Sequence, residues 1–170
     1  AAKMGNTTAI AIGKADAGEL EKLGGYGINT VLHLADERLN NVMSKAYTKI
    51  IAAAAAQIGA DTVIMSHNTA GKTIAPRVAI RMQAALYPGV NSLPENNIVR
   101  KAVFSGKAFA DLAMDNGAKV ITVNPNSFKA ELSSGSATVT AFDPEAMPNV
   151  KGVIGDKIKY ATSQYEALEN

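Results

Sequence analysis

The feature that most constrains the fold of this chain is an alternation of short apolar runs with helical stripes. Apolar runs cover residues 7–13, 29–34 and 61–67. A helical stripe of apolar residues separates the second run from the third, with Ser44 as its predicted N-cap and Gly59 as its predicted C′ residue. Strands that alternate with helices in this way form right-handed crossovers and a parallel sheet. The sequence therefore predicts an α/β fold.

The rest of the chain adds further elements to this frame. Asp16 and Glu19 have capping-box spacing and predict a short helix. A second helix is predicted from about Lys72, with one apolar face formed by Ala75, Val78, Ala79, Met82 and Leu86. Four more strand-like runs follow with little helical pattern between the first three, at residues 98–106, 107–114, 119–125 and 138–142. We expect a mainly parallel core followed by a more antiparallel edge.

Composition excludes several classes of protein. The chain has 170 residues, of which 47% are hydrophobic, and this suits one domain with a buried core. Its 17 basic and 15 acidic side chains give a net charge of only +2, which predicts no nucleic-acid site and no attraction to an anionic membrane. The absence of cysteine excludes disulfides and thiolate metal ligands. His33 and His67 have no carboxylates at metal-ligand spacing. We expect a soluble domain without a metal site.

The stretch SHNTAGKTIAPR, residues 66–77, contains the AGKT of a nucleotide-binding P-loop. A complete P-loop needs a glycine five positions before Gly71, and Ser66 stands there instead. Pro76 then follows early in the predicted helix, where a P-loop helix continues without interruption. The stretch therefore fails as a P-loop.

A weaker functional interpretation of this stretch remains. A loop between a strand and a helix N-terminus favours anions, and such loops lie where open α/β sheets bind ligands. The candidate residues for an anion site or a partner contact are Ser66, Gly71, Lys72 and Arg77. In the alternative interpretation Gly71 permits a tight turn, Pro76 rigidifies the start of the helix, and the basic side chains are solvated.

Other polar residues give weaker signals. His67 adjoins Ser66 but is not a recognisable base for it, and a histidine at a strand end more often makes a structural hydrogen bond. Residues 36–38 (DER) could be a carboxylate cluster, although a solvated loop with a local ion pair is commoner. Lys107 stands in a hairpin-like turn, where a lysine usually faces water. We expect no catalytic residue among them.

Residues 1–5 (AAKMG) read like the last turn of a helix, with Gly5 as its C′ residue. Either a strand and a helix precede this turn in the intact protein, or residues 1–4 are an irregular segment before the first strand. We favour the first explanation.

Four blocks of sequence resemble the amino-terminal domain of the electron transfer flavoprotein alpha subunit. They cover residues 20–39, 61–82, 99–110 and 119–128, in the family's order and spacing. The most specific match is a pattern within residues 66–79, formed by Ser66, Gly71, Pro76, Arg77, Val78 and Ala79. The resemblance divides the chain into a domain at residues 1–128 and a segment at residues 129–170 that holds one more strand and a linker.

The resemblance implies a Rossmann-like three-layer α/β/α fold of the adenine nucleotide alpha hydrolase type. It also implies a non-enzymatic role in an FAD-containing αβ heterodimer, in which this domain mainly builds the assembly with the beta subunit. In that family FAD is bound chiefly by a second alpha-subunit domain marked by a Gly-Gly-Arg-Gly stretch, which this sequence lacks. AMP belongs to the beta subunit, so no cofactor-binding residue is expected in this chain.

The same resemblance implies that electrons arrive from flavin dehydrogenases, such as the acyl-CoA dehydrogenases of fatty acid beta-oxidation, and leave to a quinone reductase. It implies the bacterial cytoplasm or the mitochondrial matrix, and we favour the bacterial cytoplasm. Asn124 departs from the family, where a basic residue is common, and this puts an anion or partner contact there in doubt. Two alternatives remain open: a stand-alone adenine-nucleotide-binding or hydrolysing domain that uses residues 66–77, and an assembly module without a ligand.

Overall fold

The computed structural model describes residues 5–92, 94–114 and 116–144. The helices are α1 (Ala17–Glu21), α2 (Ser44–Gln57) and α3 (Thr69–Met82), with 3₁₀ turns at Lys22–Tyr26, Glu37–Leu39 and Phe104–Gly106. The strands are β1 (Thr8–Ile12), β2 (Thr30–Leu34), β3 (Thr62–Ser66), β4 (Ala85–Val90), β5 (Ile98–Val103), β6 (Ala108–Ala113), β7 (Lys119–Val123) and β8 (Thr138–Ala141). Residues 1–4 and 145–170, which include the predicted helix end and most of the predicted linker, lie outside the described residues.

The described strands form two hydrogen-bonded sheets. The smaller sheet has the order β1-β2-β8 and is parallel throughout. The larger sheet has the order β3-β7-β4-β5-β6, in which β3, β7 and β4 are parallel and the β4–β5 and β5–β6 pairs are antiparallel. The predicted parallel core with an antiparallel edge is confirmed. The antiparallel part is the β5–β6 hairpin, and the chain returns to the parallel core through β7 and β8.

The smaller sheet is covered by helices on both faces because its side chains alternate. Leu32 and Leu34 of β2 pack with Ile50 of α2 in one buried cluster. Val31, whose side chain points to the opposite face, packs with Leu20 of α1. Two helical layers therefore enclose this sheet, and the predicted three-layer Rossmann-like α/β class is confirmed.

The larger sheet has one face covered by α3. Ala75 and Val78 of this helix are buried against Val120 of β7. The next residue, Ile121, points to the opposite face and packs in one cluster with Tyr87 of β4 and Val99 of β5. The helical face predicted for α3 is thus confirmed for Ala75 and Val78, as it is for Ala79.

One member of that predicted face was wrong, and a strand was missed. Leu86 lies in β4, because α3 ends at Met82 and Gln83 turns the chain with a left-handed φ of 52°. The sequence had placed Leu86 on the helix and predicted no strand before residue 98, although β4 covers Ala85–Val90. Proline is tolerated inside a sheet at a bulge, and the β4–β7 register shifts between Tyr87 and Val90.

The predicted ends of the other helices are mostly confirmed. The Asp16 carboxylate accepts a hydrogen bond from the Glu19 amide at 3.1 Å, as the capping box requires. Gly59 follows α2 with a φ of 63°, which suits its predicted C′ position. The predicted N-cap of α2 was wrong by one residue: Met43 is the N-cap, and Ser44 is the first helical residue.

Candidate functional site at the carboxyl ends of the parallel strands

The candidate segment begins where β3 ends and α3 starts. The helix begins at Thr69 rather than near Lys72, so the predicted start was three residues late. Asn68 is the N-cap, and its side-chain oxygen accepts a hydrogen bond from the Gly71 amide at 2.8 Å. Gly71 was interpreted as a turn residue, but the Asn68 cap places it in the first helical turn. One of the free amides that an anion would need is therefore already bonded.

Gly71 serves close packing between the helix and the strand before it. A Cβ atom built at this position would lie 1.8 Å from the carbonyl oxygen of Ser66, a distance that no side chain can occupy. Its φ is not in the left-handed region, so no special turn conformation requires glycine here. The prediction of a tight turn at Gly71 was therefore wrong: glycine allows α3 to approach the end of β3.

Pro76 lies inside α3, not at its start as predicted. A proline in a helix interior has no N–H to donate to the carbonyl four residues earlier, which here belongs to Lys72. Its ring lines a small cavity of about 120 Å³ together with His67 and Lys72. Pro76 thus lies in the middle of α3 and forms one wall of this cavity.

The structure does not bring the four predicted residues together around one space. Ser66 contacts Gly71 but lines a different and larger cavity. Lys72 lines the small cavity, whereas Arg77 is exposed on α3 and donates to the carbonyl of Thr73, in its own helix, at 3.2 Å. An anion site or partner contact at this segment stays a prediction.

A polar network, which the sequence did not reveal, joins the ends of β3, β7 and β4. The Nδ1 atom of His67 lies 2.7 Å from Oγ1 of the buried Thr122. The same oxygen accepts a hydrogen bond from the Gly89 amide at 2.9 Å. Since Gly89 is the donor in that bond, the Thr122 hydroxyl can donate its proton to an unprotonated Nδ1 of His67. The signal in the sequence was a threonine inside the apolar run KVITV.

The environment of His67 favours its neutral form. Burial lowers the pKa of His67 below its ordinary value, and the positive charges of Lys72 and then Lys101 lower it further. Gly89 packs closely against the ring of His67, since a Cβ atom at position 89 would lie 3.1 Å from Nε2. Its φ of +69° also favours glycine. This histidine is a structural hydrogen-bonding residue, as its place at a strand end suggested.

Asn124 extends the network to the antiparallel edge. Its side-chain amide donates to the carbonyl of Gly89 and to Oδ1 of Asn91, both at 2.9 Å. The Asn91 oxygen also accepts from the Ala102 amide of β5 at 3.3 Å. The residue that departs from the family pattern therefore fastens β7 to β4 and, through Asn91, to β5.

The larger cavity has a volume of about 1010 Å³. Its floor is the face of the larger sheet that α3 leaves free, with Ile64 of β3 and Ile121 and Val123 of β7. Tyr26 bounds one side, and the loop after β7 closes the other with residues 124–133. The floor is apolar, which suits the burial of apolar side chains.

The remaining candidates have ordinary structural roles. Arg38 binds Asp36 through a 2.6 Å contact between Nη2 and Oδ2, which confirms the predicted local ion pair. Lys107 is exposed, with Nζ 5.7 Å from the centre of the Phe104 ring. His33 bonds the carbonyl of Gly13 at 3.0 Å.

The part of the chain that the structure describes contains neither a metal-binding group of side chains nor a membrane-spanning helix. No three histidine, aspartate or glutamate side chains there are grouped closely enough to hold a metal ion. None of the helices in the same ranges has the length and apolar character that crossing a membrane requires.

Fold and site together define a Rossmann-like α/β domain whose described polar side chains at the strand ends bind mainly one another. The sequence matches the electron transfer flavoprotein domain family over residues 1–147, and the chain belongs to that family. The electron transfer flavoprotein subunit alpha of Bacillus subtilis (strain 168) is 25% identical to it over 160 residues. That alignment covers 91% of this chain and 49% of the relative, so the chain spans about half the length of that protein. The resemblance to the amino-terminal domain of the alpha subunit is confirmed.

Proposed function

We propose that this chain is the assembly-building domain of an electron-carrying αβ flavoprotein. The observation that carries the proposal is the family match over residues 1–147, together with the similarity to an alpha subunit over 91% of the chain. The described site is consistent with a structural role, because the side chains of His67, Thr122 and Asn124 form hydrogen bonds that link the ends of β3, β7 and β4. The partner would be the beta subunit, and this domain would be non-catalytic.

In this proposal FAD is held mainly by a part of the alpha subunit other than this chain, and AMP by the beta subunit. Many dinucleotide-binding sites hold phosphate on the free backbone amides of a helix N-terminus. At α3 one of those amides, that of Gly71, is already bonded to the Asn68 side chain. When bound, FAD supplies the redox chemistry, and the protein supplies its position and electrostatic environment.

The family match supports a proposal for the electron route. We propose that the complex accepts electrons from flavin dehydrogenases such as acyl-CoA dehydrogenases and passes them to a quinone reductase, in the bacterial cytoplasm. Fatty acid beta-oxidation is the corresponding process.

Two observations speak against the alternative of a nucleotide-binding domain that uses residues 66–77. The cavity beside Lys72 has a volume of about 120 Å³, whereas small-molecule sites span about 300–1,000 Å³. The candidate residues also do not meet around one space: Ser66 lines the larger cavity, Lys72 lines the small one, and Arg77 donates to the carbonyl of Thr73 in its own helix. We therefore retain the electron-carrier proposal alone.

The test is to express the full-length gene product with its beta partner and record the visible spectrum of the purified complex. We expect a heterodimer with flavin absorbance, and the gene product expressed without the partner serves as the control. A complex that stays colourless after incubation with excess FAD would contradict the proposal. So would a gene product that forms no complex with the beta subunit.

A further inference from the structure

The turn between β6 and β7 contains the dipeptide Asn116-Gly117. Asn116 is the only asparagine in the sequence that glycine follows. Where another residue follows an asparagine, it carries a side chain, and the smallest is the serine at positions 92 and 127. Asparagine is chemically labile when the next backbone nitrogen can reach its side chain. Glycine permits this approach because it has no Cβ atom in the way.

The structure leaves this dipeptide open to water. Both residues are exposed, and they lie between the end of β6 at Ala113 and the start of β7 at Lys119. A Cβ atom built on Gly117 would meet no heavy atom within 4 Å outside its chain neighbours. The backbone at this point can therefore change conformation without disturbing a packed side chain.

The side chain of Asn116 is held loosely. Its Oδ1 atom accepts a hydrogen bond from Nδ2 of Asn97 at 3.4 Å, which is longer than an ordinary hydrogen bond. The half-buried Asn91 differs, since its Oδ1 accepts from Nδ2 of Asn124 at 2.9 Å and from the Ala102 amide at 3.3 Å. Asn116 can thus turn its side-chain carbon toward the next amide, whereas Asn91 must first give up two hydrogen bonds.

A positive charge lies beside the dipeptide. Nζ of Lys119 donates a hydrogen bond to the carbonyl oxygen of Gly117 at 2.9 Å. A backbone nitrogen that attacks a side chain must lose its proton, and a nearby cation favours the negative charge that develops. The turn therefore combines an exposed side-chain amide, an unhindered backbone and a cation.

We propose that Asn116 is a site of spontaneous modification, at which the folded protein converts asparagine to aspartate and isoaspartate. The backbone nitrogen of Gly117 forms a bond to Cγ of Asn116, and the bond from Cγ to the side-chain nitrogen breaks. That nitrogen leaves as ammonia and takes the proton of the Gly117 amide, which leaves a succinimide ring. Water then adds to either carbonyl of the ring and opens it. The step exchanges no electrons, and water is its co-reactant.

The isoaspartate product changes the turn in charge and in length. It carries a carboxylate at position 116, and the main chain runs through the former side chain, which adds one backbone atom. Hydrogen bonds fix the chain on both sides: the Met114 amide donates to the carbonyl of Asn97 at 2.6 Å, and the Lys119 amide to that of Asp61 at 2.8 Å. An exposed isoaspartyl residue is also the group that isoaspartyl carboxyl methyltransferases modify, so the aged turn is a substrate for that class of enzyme.

Ageing the purified full-length gene product near neutral pH, followed by peptide mapping with mass spectrometry, tests the proposal. The readout is the mass gained when the side-chain amide becomes a carboxyl group, at Asn116 and at Asn91. Each rate is compared with that of the same site in guanidinium-unfolded protein. We expect folding to slow Asn116 by less than about threefold and Asn91 by at least about tenfold. Equal slowing of the two sites would overturn the proposal.

Two variants test the chemical route. Gly117→Ala places a Cβ atom on the attacking residue, where the fold has room for it, and should slow the reaction at least about tenfold. An unchanged rate would mean direct hydrolysis of the side chain and would overturn the succinimide route. Methyl transfer by an isoaspartyl methyltransferase should label the aged protein but not aged Asn116→Gln, and equal labelling would overturn the assignment of the site. Neither outcome depends on flavin or on the beta subunit.

Discussion

His67 and Thr122, which are 55 positions apart in the sequence, are joined by a 2.7 Å hydrogen bond between Nδ1 and Oγ1. Thr122 lies in β7 and is 1% exposed. Its hydroxyl also receives the Gly89 amide of β4, so a single side chain links the ends of three strands. The hydrogen bonds of Thr122 can be tested by substitution, and the pKa of His67 can be tested by titration.

Thr122→Val should destabilise the fold by about 1–3 kcal/mol. Valine has the same shape but leaves the buried Gly89 amide and the half-buried His67 ring without their hydrogen-bond partner. The midpoint of urea unfolding should fall with an unchanged slope. Thr122→Ser keeps the hydroxyl and is the matched control. A loss below about 0.5 kcal/mol for Thr122→Val would contradict this account of the network.

The stability of the protein should decrease as the pH falls through the range below about 6.5, partly because of His67. Burial, Lys72 and Lys101 lower the pKa of His67, so the unfolded chain takes up a proton at a higher pH than the folded one. The contribution is complete above the ordinary pKa and is lost as the pH falls toward the lowered one. A titration of the His67 ring by NMR checks the direction, and a pKa above the ordinary value would contradict it.

Lys72→Met should raise the pKa of His67, because it removes a positive charge that lowers it. Arg77→Met is the matched control: it also removes a positive charge from α3, but Arg77 is not among the causes of the shift. The same NMR titration compares both variants. An equal change in the two would mean that net charge, rather than the position of Lys72, sets the pKa.

Gly71→Ala should destabilise the protein by about 1–3 kcal/mol or more, even though alanine favours a helix by up to about 1 kcal/mol. The added Cβ would lie 1.8 Å from the backbone carbonyl of Ser66, so helix and strand must separate. Gly117→Ala is the control, since nothing lies within 4 Å of a Cβ there. It should change the free energy of unfolding by less than about 0.5 kcal/mol. Equal effects would show that α3 can shift freely.

Phenylalanine residues should differ sharply in their contribution to stability. Phe142 is 3% exposed in the cluster beneath α2, and Phe142→Ala should cost about 3–5 kcal/mol. Phe104 is 78% exposed and has a φ of 52°, a conformation that glycine adopts more easily. Phe104→Gly should therefore be neutral or stabilising by up to about 1 kcal/mol. Thermal denaturation of both variants decides, and similar losses would contradict the assignment of their environments.

The sequence predicted most elements because the local signals were clear. The Asp16 capping box, the C′ glycine at Gly59 and the strand-like run that became β7 all depend on residues within a few positions of one another. The Leu86 error had a local cause as well. Pro88 and Gly89 normally break strands, and only a bulge against β7 admits them to β4.

The candidate segment shows the opposite case. Its residues identified the family, which the match over residues 1–147 confirmed, but not their own roles. Because Asn68 is the N-cap, α3 starts earlier than the sequence predicted, and Pro76 lies inside the helix. Gly71 is a packing residue of the first helical turn and not a turn residue. Sequence spacing could not show this, because the atom that excludes a side chain at Gly71 is the carbonyl oxygen of Ser66.

By itself, the sequence determined the α/β class, the family and the positions of most strands, since periodicity and capping act over short distances along the chain. Only the tertiary structure decided which polar groups meet and which described strands pair. The contact of His67 with Thr122 and the places of β1 and β3 at the ends of the two described sheets depend on strand order. Strand order is set by crossovers and packing between distant segments, and no local pattern records it.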